Sequence, residues 1–228
     1  MTECFLDQSI IVGYASFIFN EPETIIKTIE KFGKICVEFI EKNRKDFIAC
    51  FYIVEKDLPK FKIRRKIILE EIRKKLRNPG YEIGSSEEAI KTLYKTDINK
   101  ANKIFSLLTI ISEKELVNLL IKIESVFSIR LDYILKSVIS KIVIPVESID
   151  KKLVSILNEF IDNYSDCNVF SSCLQYTTET SRPRIITDII KVIFVTLDKE
   201  HFNENNITFI KQDLRLKSWK FPEVGILI

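Results

Sequence analysis

The chain opens on a very short apolar run at residues 3–6 (ECFL) that stops at Asp7. Such a run predicts a strand ending in a carboxylate, with Ser9 placed to cap a helical start. From Glu23 the apolar positions Ile25, Ile26, Ile29, Phe32, Cys36 and Phe39 recur at helical spacing, and the stretch ends in the polar run EKNRK at 41–45. That pattern predicts a helix. Residues 47–54 (FIACFYIV) are continuously aromatic, β-branched or small and stop at Glu55; so short a run is consistent with a strand buried on both faces. Pro59 suits the first turn of a following helix, whose stripe Leu58, Phe61, Ile68, Ile72 and Leu76 ends at Asn78-Pro79-Gly80. Residues 85–143 read as helices throughout, without a strand, one of them opened by a capping box at Ser112 and Glu115. Another helix is predicted over 148–164, with Ile149, Leu153, Ile156 and Phe160 facing inward, and a further one starting near Asp166. Residues 191–197 (KVIFVTL) are the last strong strand, and 207–210 a weaker one.

Strands alternating with helices predict an α/β layer architecture with a mainly parallel sheet. The long helical stretch, about residues 78–147, then reads as an elaboration inserted into it. No internal repeat or low-complexity linker divides the 228 residues, so the expectation is a single domain over 1–228. Near the end, Trp219 and Phe221 are expected to anchor the tail on the core.

Composition narrows the function classes. A hydrophobic content of 46% can supply a full core, and a formal net charge of +3 is too small to demand a nucleic-acid partner, so any basic patch must be local. Cys4, Cys36, Cys50, Cys167 and Cys173 form no C-x-x-C pair, which argues against a disulfide framework or a zinc ribbon and for a reduced, cytoplasmic protein. No stretch approaches the roughly 20 apolar residues that span a bilayer, and Glu3 and Asp7 stand where a signal peptide would carry basic residues. The expectation is a soluble protein with no membrane partner. With five glycines, the chain has neither a G-x-x-x-x-G-K-[ST] loop nor a G-x-G-x-x-G turn, and it lacks a G-x-S-x-G elbow. His201, the one histidine, reads as a surface residue.

What remains is a set of acids. Ligands of open parallel sheets bind beyond the carboxyl ends of the strands. Asp7, Glu55 and Asp198 each follow an apolar strand run, and Asp166 opens a helix. One such acid alone is an ordinary turn or cap residue. If the strands are neighbours, several carboxylates converge, and like charges that close need a cation such as Mg²⁺ or Mn²⁺, whose bound water can be activated against a phosphodiester. The basic group Lys60, Lys62, Arg64, Arg65, Lys66, Lys74, Lys75 and Arg77 reads either as a phosphate-tracking surface or as a solvated helix face.

Four segments carry a resemblance. CFLDQSIIVGY resembles the opening of PIN domains, with Gln8 where a threonine is usual; YIVEKDLPKFKIRR resembles their second element, NYSDCNVFSSCLQY their third motif, and VIFVTLDKEHF their Val-Phe-Val-Thr-x-Asp-x-x-Phe segment, all in the family's order. The resemblance implies a PIN-like three-layer sandwich and Mg²⁺- or Mn²⁺-dependent cleavage of RNA, as in toxin components of toxin–antitoxin pairs. It implies Asp7, Glu55, Asp166 and Asp198 as the catalytic and metal-binding set, with Thr196 and Ser171 as neighbours that orient a carboxylate or water. Arg64, Arg65 and Lys66 are the expected substrate-binding residues. The implied partner is RNA, with room for an antitoxin-like protein or a homodimer. A non-catalytic PIN-like scaffold or RNA-binding module, and a structure-specific DNA nuclease, are the alternatives.

Overall fold

A computed structural model describes residues 2–43, 46–181 and 190–227. Five strands form one sheet: β1 (Thr2–Leu6), β2 (Asp46–Cys50), β3 (Ile139–Val143), β4 (Lys191–Thr196) and β5 (Glu223–Ile226). Their order is β3-β2-β1-β4-β5, and every neighbouring pair is parallel. The chain therefore winds outward from β1 to one edge, returns, and winds outward to the other. β1 is the strand at which the winding direction reverses.

Parallel strands need crossovers, and helices supply them on both faces. Between β1 and β2 lie α1 (Gln8–Ser16), α2 (Glu23–Ile29) and α3 (Gly33–Lys42). Between β2 and β3 come α4 (Leu58–Arg77), α5 (Glu87–Thr92), α6 (Lys95–Phe105) and α7 (Glu113–Tyr133). The return to β4 uses α8 (Lys151–Leu157) and α9 (Tyr164–Thr180), and α10 (Glu204–Gln212) leads to β5. Helix α1 packs on both α3 and α7, while α8 packs on α9, which lies on β2 and β4. The arrangement is consistent with three layers. The main core joins both faces of the sheet; on the α9 side Phe194 stacks against Phe5, Phe170 and Phe202. A second apolar core, centred on Ile29, Ile72, Ala101, Leu116 and Leu120, holds α2, α4, α6 and α7 together beside the sheet.

Several local features agree with their sequence signals. Ser112 and Glu115 make the reciprocal capping box of α7, Pro59 lies in the first turn of α4, and Trp219 and Phe221 pack against the main core. Others differ. The stretch 85–143 is not all helix, because Ile139–Val143 forms β3 and pairs with β2; its β-branched residues followed by Pro145 mark an edge strand rather than the end of a helix. The insertion accordingly stops short of residue 147. The run 47–54 is a strand only to Cys50, after which the chain turns helical. Residues 207–210 belong to α10, capped by the Asn203 side chain, and β5 takes the edge position beside β4. The helical spacing after Glu23 is split in two near Gly33, and α8 ends at Leu157. Among the described residues no helix is long and apolar enough to cross a membrane.

Candidate functional site

Reversal of winding at β1 opens a crevice at the carboxyl ends of β1 and β4, because the crossovers on the two sides of β1 lie on opposite faces. Asp7 and Asp198 sit there. Asp7 is the N-cap of α1 and its backbone N–H donates to the Val195 carbonyl at 2.9 Å. Its buried carboxylate accepts the Ser9 hydroxyl at 2.6 Å and the Thr196 hydroxyl at 2.9 Å. The short polar side chains are needed at these positions because a capping carboxylate buried beside a strand end must find donors nearby. Burial pushes the Asp7 carboxyl above its ordinary range, and the Ser9 and Thr196 hydrogen bonds offset part of that rise.

Asp198 closes a tight turn, accepting the backbone N–H groups of Glu200 at 2.9 Å and His201 at 3.1 Å. The His201 ring lies 2.6 Å from Asp198 and 3.7 Å from Asp166, both measured at Nδ1. Asp166, in the first turn of α9, is pushed up to about 7 by burial and then by the charges of Asp7 and Asp198, with His201 opposing. For His201, burial works against the charged ring, but the hydrogen bond and charge of Asp198 outweigh it, and the net shift is upward. Asp166, Asp198 and His201 together offer ligand atoms within 4.8 Å of one another.

Asp7, Asp166 and Asp198 thus line one cavity of about 260 Å³, with Gln8, Ser9 and Arg64. Glu55 does not join them. It is exposed, because the strand ends at Cys50 and Glu55 lies on the outer side of a wide, π-helical turn, Ile53–Asp57, that leads into α4. Asp57, two residues on, faces inward instead. It is buried, accepts the Ser165 hydroxyl at 2.6 Å, and lines with Gln8 and Asp166 an adjoining cavity of about 500 Å³. Burial raises its carboxyl, the Ser165 hydrogen bond lowers it, and the charge of Asp7 adds to the rise. A π turn inside a helix shifts the facing of the residues that follow, which is how the second acid of this segment reaches the cleft.

The basic residues separate in the same way. Consecutive helix positions point roughly 100° apart, so Arg64, Arg65 and Lys66 face three directions. Arg64 lines both cavities. Arg65 is buried, donating to the Ser16 hydroxyl at 3.1 Å and stacking 4.4 Å from the Phe127 ring centroid, and burial lowers its pKa to about 10. Lys66 is exposed and lines neither cavity. Lys60, one turn before Arg64, does line the larger one. Thr196 holds Asp7 as described, whereas Ser171 is buried within α9 and its hydroxyl finds no hydrogen-bond partner among the described residues.

The sequence points to neither Asp57 nor His201 as a member of the cluster: His201 reads there as a surface residue, yet its side chain is only 22% exposed and lies against Asp198. Asp57 carries a signal in retrospect, since it directly precedes the Leu58-Pro59 helix start. His201 follows Asp198 by three residues, the spacing at which a turn folds a side chain back on its own cap. No family model matches the chain, and no curated protein or solved structure shows a significant match to it.

Proposed function

We propose that the chain is a divalent-metal-dependent nuclease that cleaves RNA, built on a PIN-like arrangement of the sheet, with Asp7, Asp57, Asp166 and Asp198 as its acidic set. The observation that carries this reading is the convergence of these carboxylates on the crevice where the sheet reverses its winding. Burial, and after it the charges of neighbouring carboxylates, holds Asp166 and Asp57 above their ordinary range, although His201, Lys60 and Arg64 oppose the rise, so an added cation would be favoured among them. The donor set is all oxygen apart from His201, which suits Mg²⁺ or Mn²⁺. When bound, such an ion supplies a water of lowered pKa and neutralises charge on the phosphate oxygens.

The chain's own residues have definite tasks in this reading. Ser9 and Thr196 both donate to one oxygen of Asp7 and so fix its carboxylate at the crevice. Ser165 holds Asp57, and His201 with two backbone N–H groups holds Asp198. Arg64 is the cation that lines the crevice, where a phosphate would meet it.

A second reading has an observation of its own. A protonated His201 would neutralise Asp166 and Asp198 without any ion, as in a purely structural cluster on a binding scaffold. The two separate on cleavage of labelled RNA, with DNA in parallel, in Mn²⁺ and in EDTA. The nuclease reading expects cleavage only with metal and a loss of roughly a thousandfold or more in Asp7→Asn, equivalent to several kcal/mol of transition-state stabilisation. The fold should survive, because Asn also caps helices. Undiminished cleavage in EDTA, or by Asp7→Asn, would refute this mechanism; inactivity on a broad RNA panel would favour the scaffold.

A further inference from the structure

The larger cavity asks for a ligand that is anionic at one end and flat and apolar at another. We infer that it is a subsite for one unstacked nucleotide of single-stranded RNA, its base on Tyr94 and its phosphates on Lys60 and Arg64. This rests on the nuclease reading for the identity of the polymer, but not for the binding itself.

Tyr94 is 64% exposed and Ile63 53% exposed, so two large apolar side chains stand open to water at the mouth of the same cavity. Tyr94 is not loosely held. It is the N-cap residue of α6, its backbone N–H donates to the Asp97 carboxylate at 3.0 Å, and the Arg64 guanidinium lies 5.0 Å from its ring centroid. The guanidinium takes one face of the ring, and the exposure leaves surface over for a second flat group. An ordered aromatic ring beside a cation is the platform on which proteins stack bases of single strands. Lys60 is exposed and forms no salt bridge among the described residues, while Arg64 reaches Asp97 only at 3.7 Å. Both remain available to phosphate. Gln8, Arg64 and Asp166 line this cavity and the acidic one alike, so a strand seated here runs directly into the acids.

The dimensions favour a single strand. About 500 Å³ lies within the range of small-ligand pockets, enough for one nucleotide and too small for a duplex, whose bases are in any case stacked and withheld from Tyr94. The inference gives the inserted helices a task, since Tyr94 lies within them.

The test is equilibrium binding of a short, fluorescently labelled oligouridylate to the full chain in EDTA at low salt, read by anisotropy. A blunt RNA duplex and a polyglutamate peptide serve as competitors. The single strand should bind and be displaced poorly by either competitor. Tyr94→Ala should weaken binding about tenfold or more, whereas Tyr94→Phe, which keeps the ring, should bind like wild type. Lys60→Ala should reduce the salt dependence by about one phosphate contact. Tyr94 is exposed and caps through its backbone, so circular dichroism should show Tyr94→Ala folded. Absent binding, unchanged affinity in Tyr94→Ala, or equal displacement by duplex or polyglutamate would each overturn the subsite. Metal is withheld, so the two proposals fail separately. Tyr94-dependent binding without cleavage in Mn²⁺ sinks only the nuclease, and Asp7-dependent cleavage with a neutral Tyr94→Ala sinks only the subsite.

Discussion

Glu71 is fully buried, yet it is charged and has four donors: the Lys74 ammonium at 2.8 Å, the Ser86 hydroxyl at 2.6 Å, the Tyr81 hydroxyl at 2.8 Å and the Gly84 backbone N–H at 2.8 Å. It ties α4 to the loop that follows, where Gly84 holds a positive φ of 94° that side-chain-bearing residues avoid. Burial opposes the charge, but these hydrogen bonds outweigh it and hold the carboxyl down to about 2. A depressed carboxyl stabilises the fold above its unfolded pKa, and that stability is lost as pH falls from about 4.5 through about 2. Glu71→Gln should therefore cost about 2–3 kcal/mol at neutral pH, with the difference from wild type closing in acid. Urea midpoints across that pH range check it, and a gap that stays constant would show that the charge is not the cause. The residue scale is also where the sequence was least legible. Glu55 and Asp57 are equally acidic and two positions apart, and only the wide turn at Ile53–Asp57 decides which faces the cleft. Arg65 was indistinguishable from Arg64 until the helix phase was known.

Elements were more legible where one face is dry and the other wet. Helix α4, with its stripe and its Pro and Asn-Pro-Gly boundaries, lies where the pattern puts it, as do β1 and β4. Ambiguity entered wherever a short β-branched stretch carried no strict period: Ile139–Val143 forms an edge strand, whereas the equally β-branched stretch 207–210 is helix because Asn203 caps it and its apolar residues Ile207 and Ile210 are three apart. Packing between elements makes its own demand at Gly13, where a Cβ would stand 2.6 Å from the Cys36 sulfur and 3.4 Å from its Cβ. Helices α1 and α3 approach that closely because neither side chain is large. Gly13→Ala should destabilise the protein by about 1–3 kcal/mol, and adding Cys36→Ala, which removes the offending sulfur, should recover much of the loss. Denaturant unfolding of the two single variants and the double variant gives the coupling, and strict additivity would show that the contact is not the source of strain.

At the scale of the whole molecule, alternating strand and helix signals were enough to expect a parallel sheet, but the strand order was not, since periodicity carries no information on which strands are neighbours. The order is what brings Asp7, Asp166 and Asp198 together. Burial of Asp166, and after it the charges of Asp7 and Asp198, makes metal-free stability depend on pH. The Asp166 carboxyl is raised from 3.8 to about 7, so the folded chain keeps a proton that the unfolded chain has released, and stability is lost as pH rises through about 7. In EDTA the melting temperature should fall between about pH 5 and pH 8, and Mn²⁺ should restore it most at the alkaline end, where the carboxylate is ionised. Asp166→Asn should flatten both trends in thermal unfolding, and a variant that retains the wild-type profile would remove Asp166 as their origin. The sheet order also has a temporal consequence. The Thr196 hydroxyl that steadies Asp7 lies 189 residues further along the chain. During synthesis at roughly 5–20 residues per second, Asp7 leaves the ribosome roughly ten to forty seconds before Thr196 does. Until β4 slides in beside β1, the first acid has no hydroxyl from that strand and no Asp198 opposite. A nascent chain therefore lacks Asp198 and the Thr196 contact, and the cleft is completed only when nearly two hundred residues have emerged.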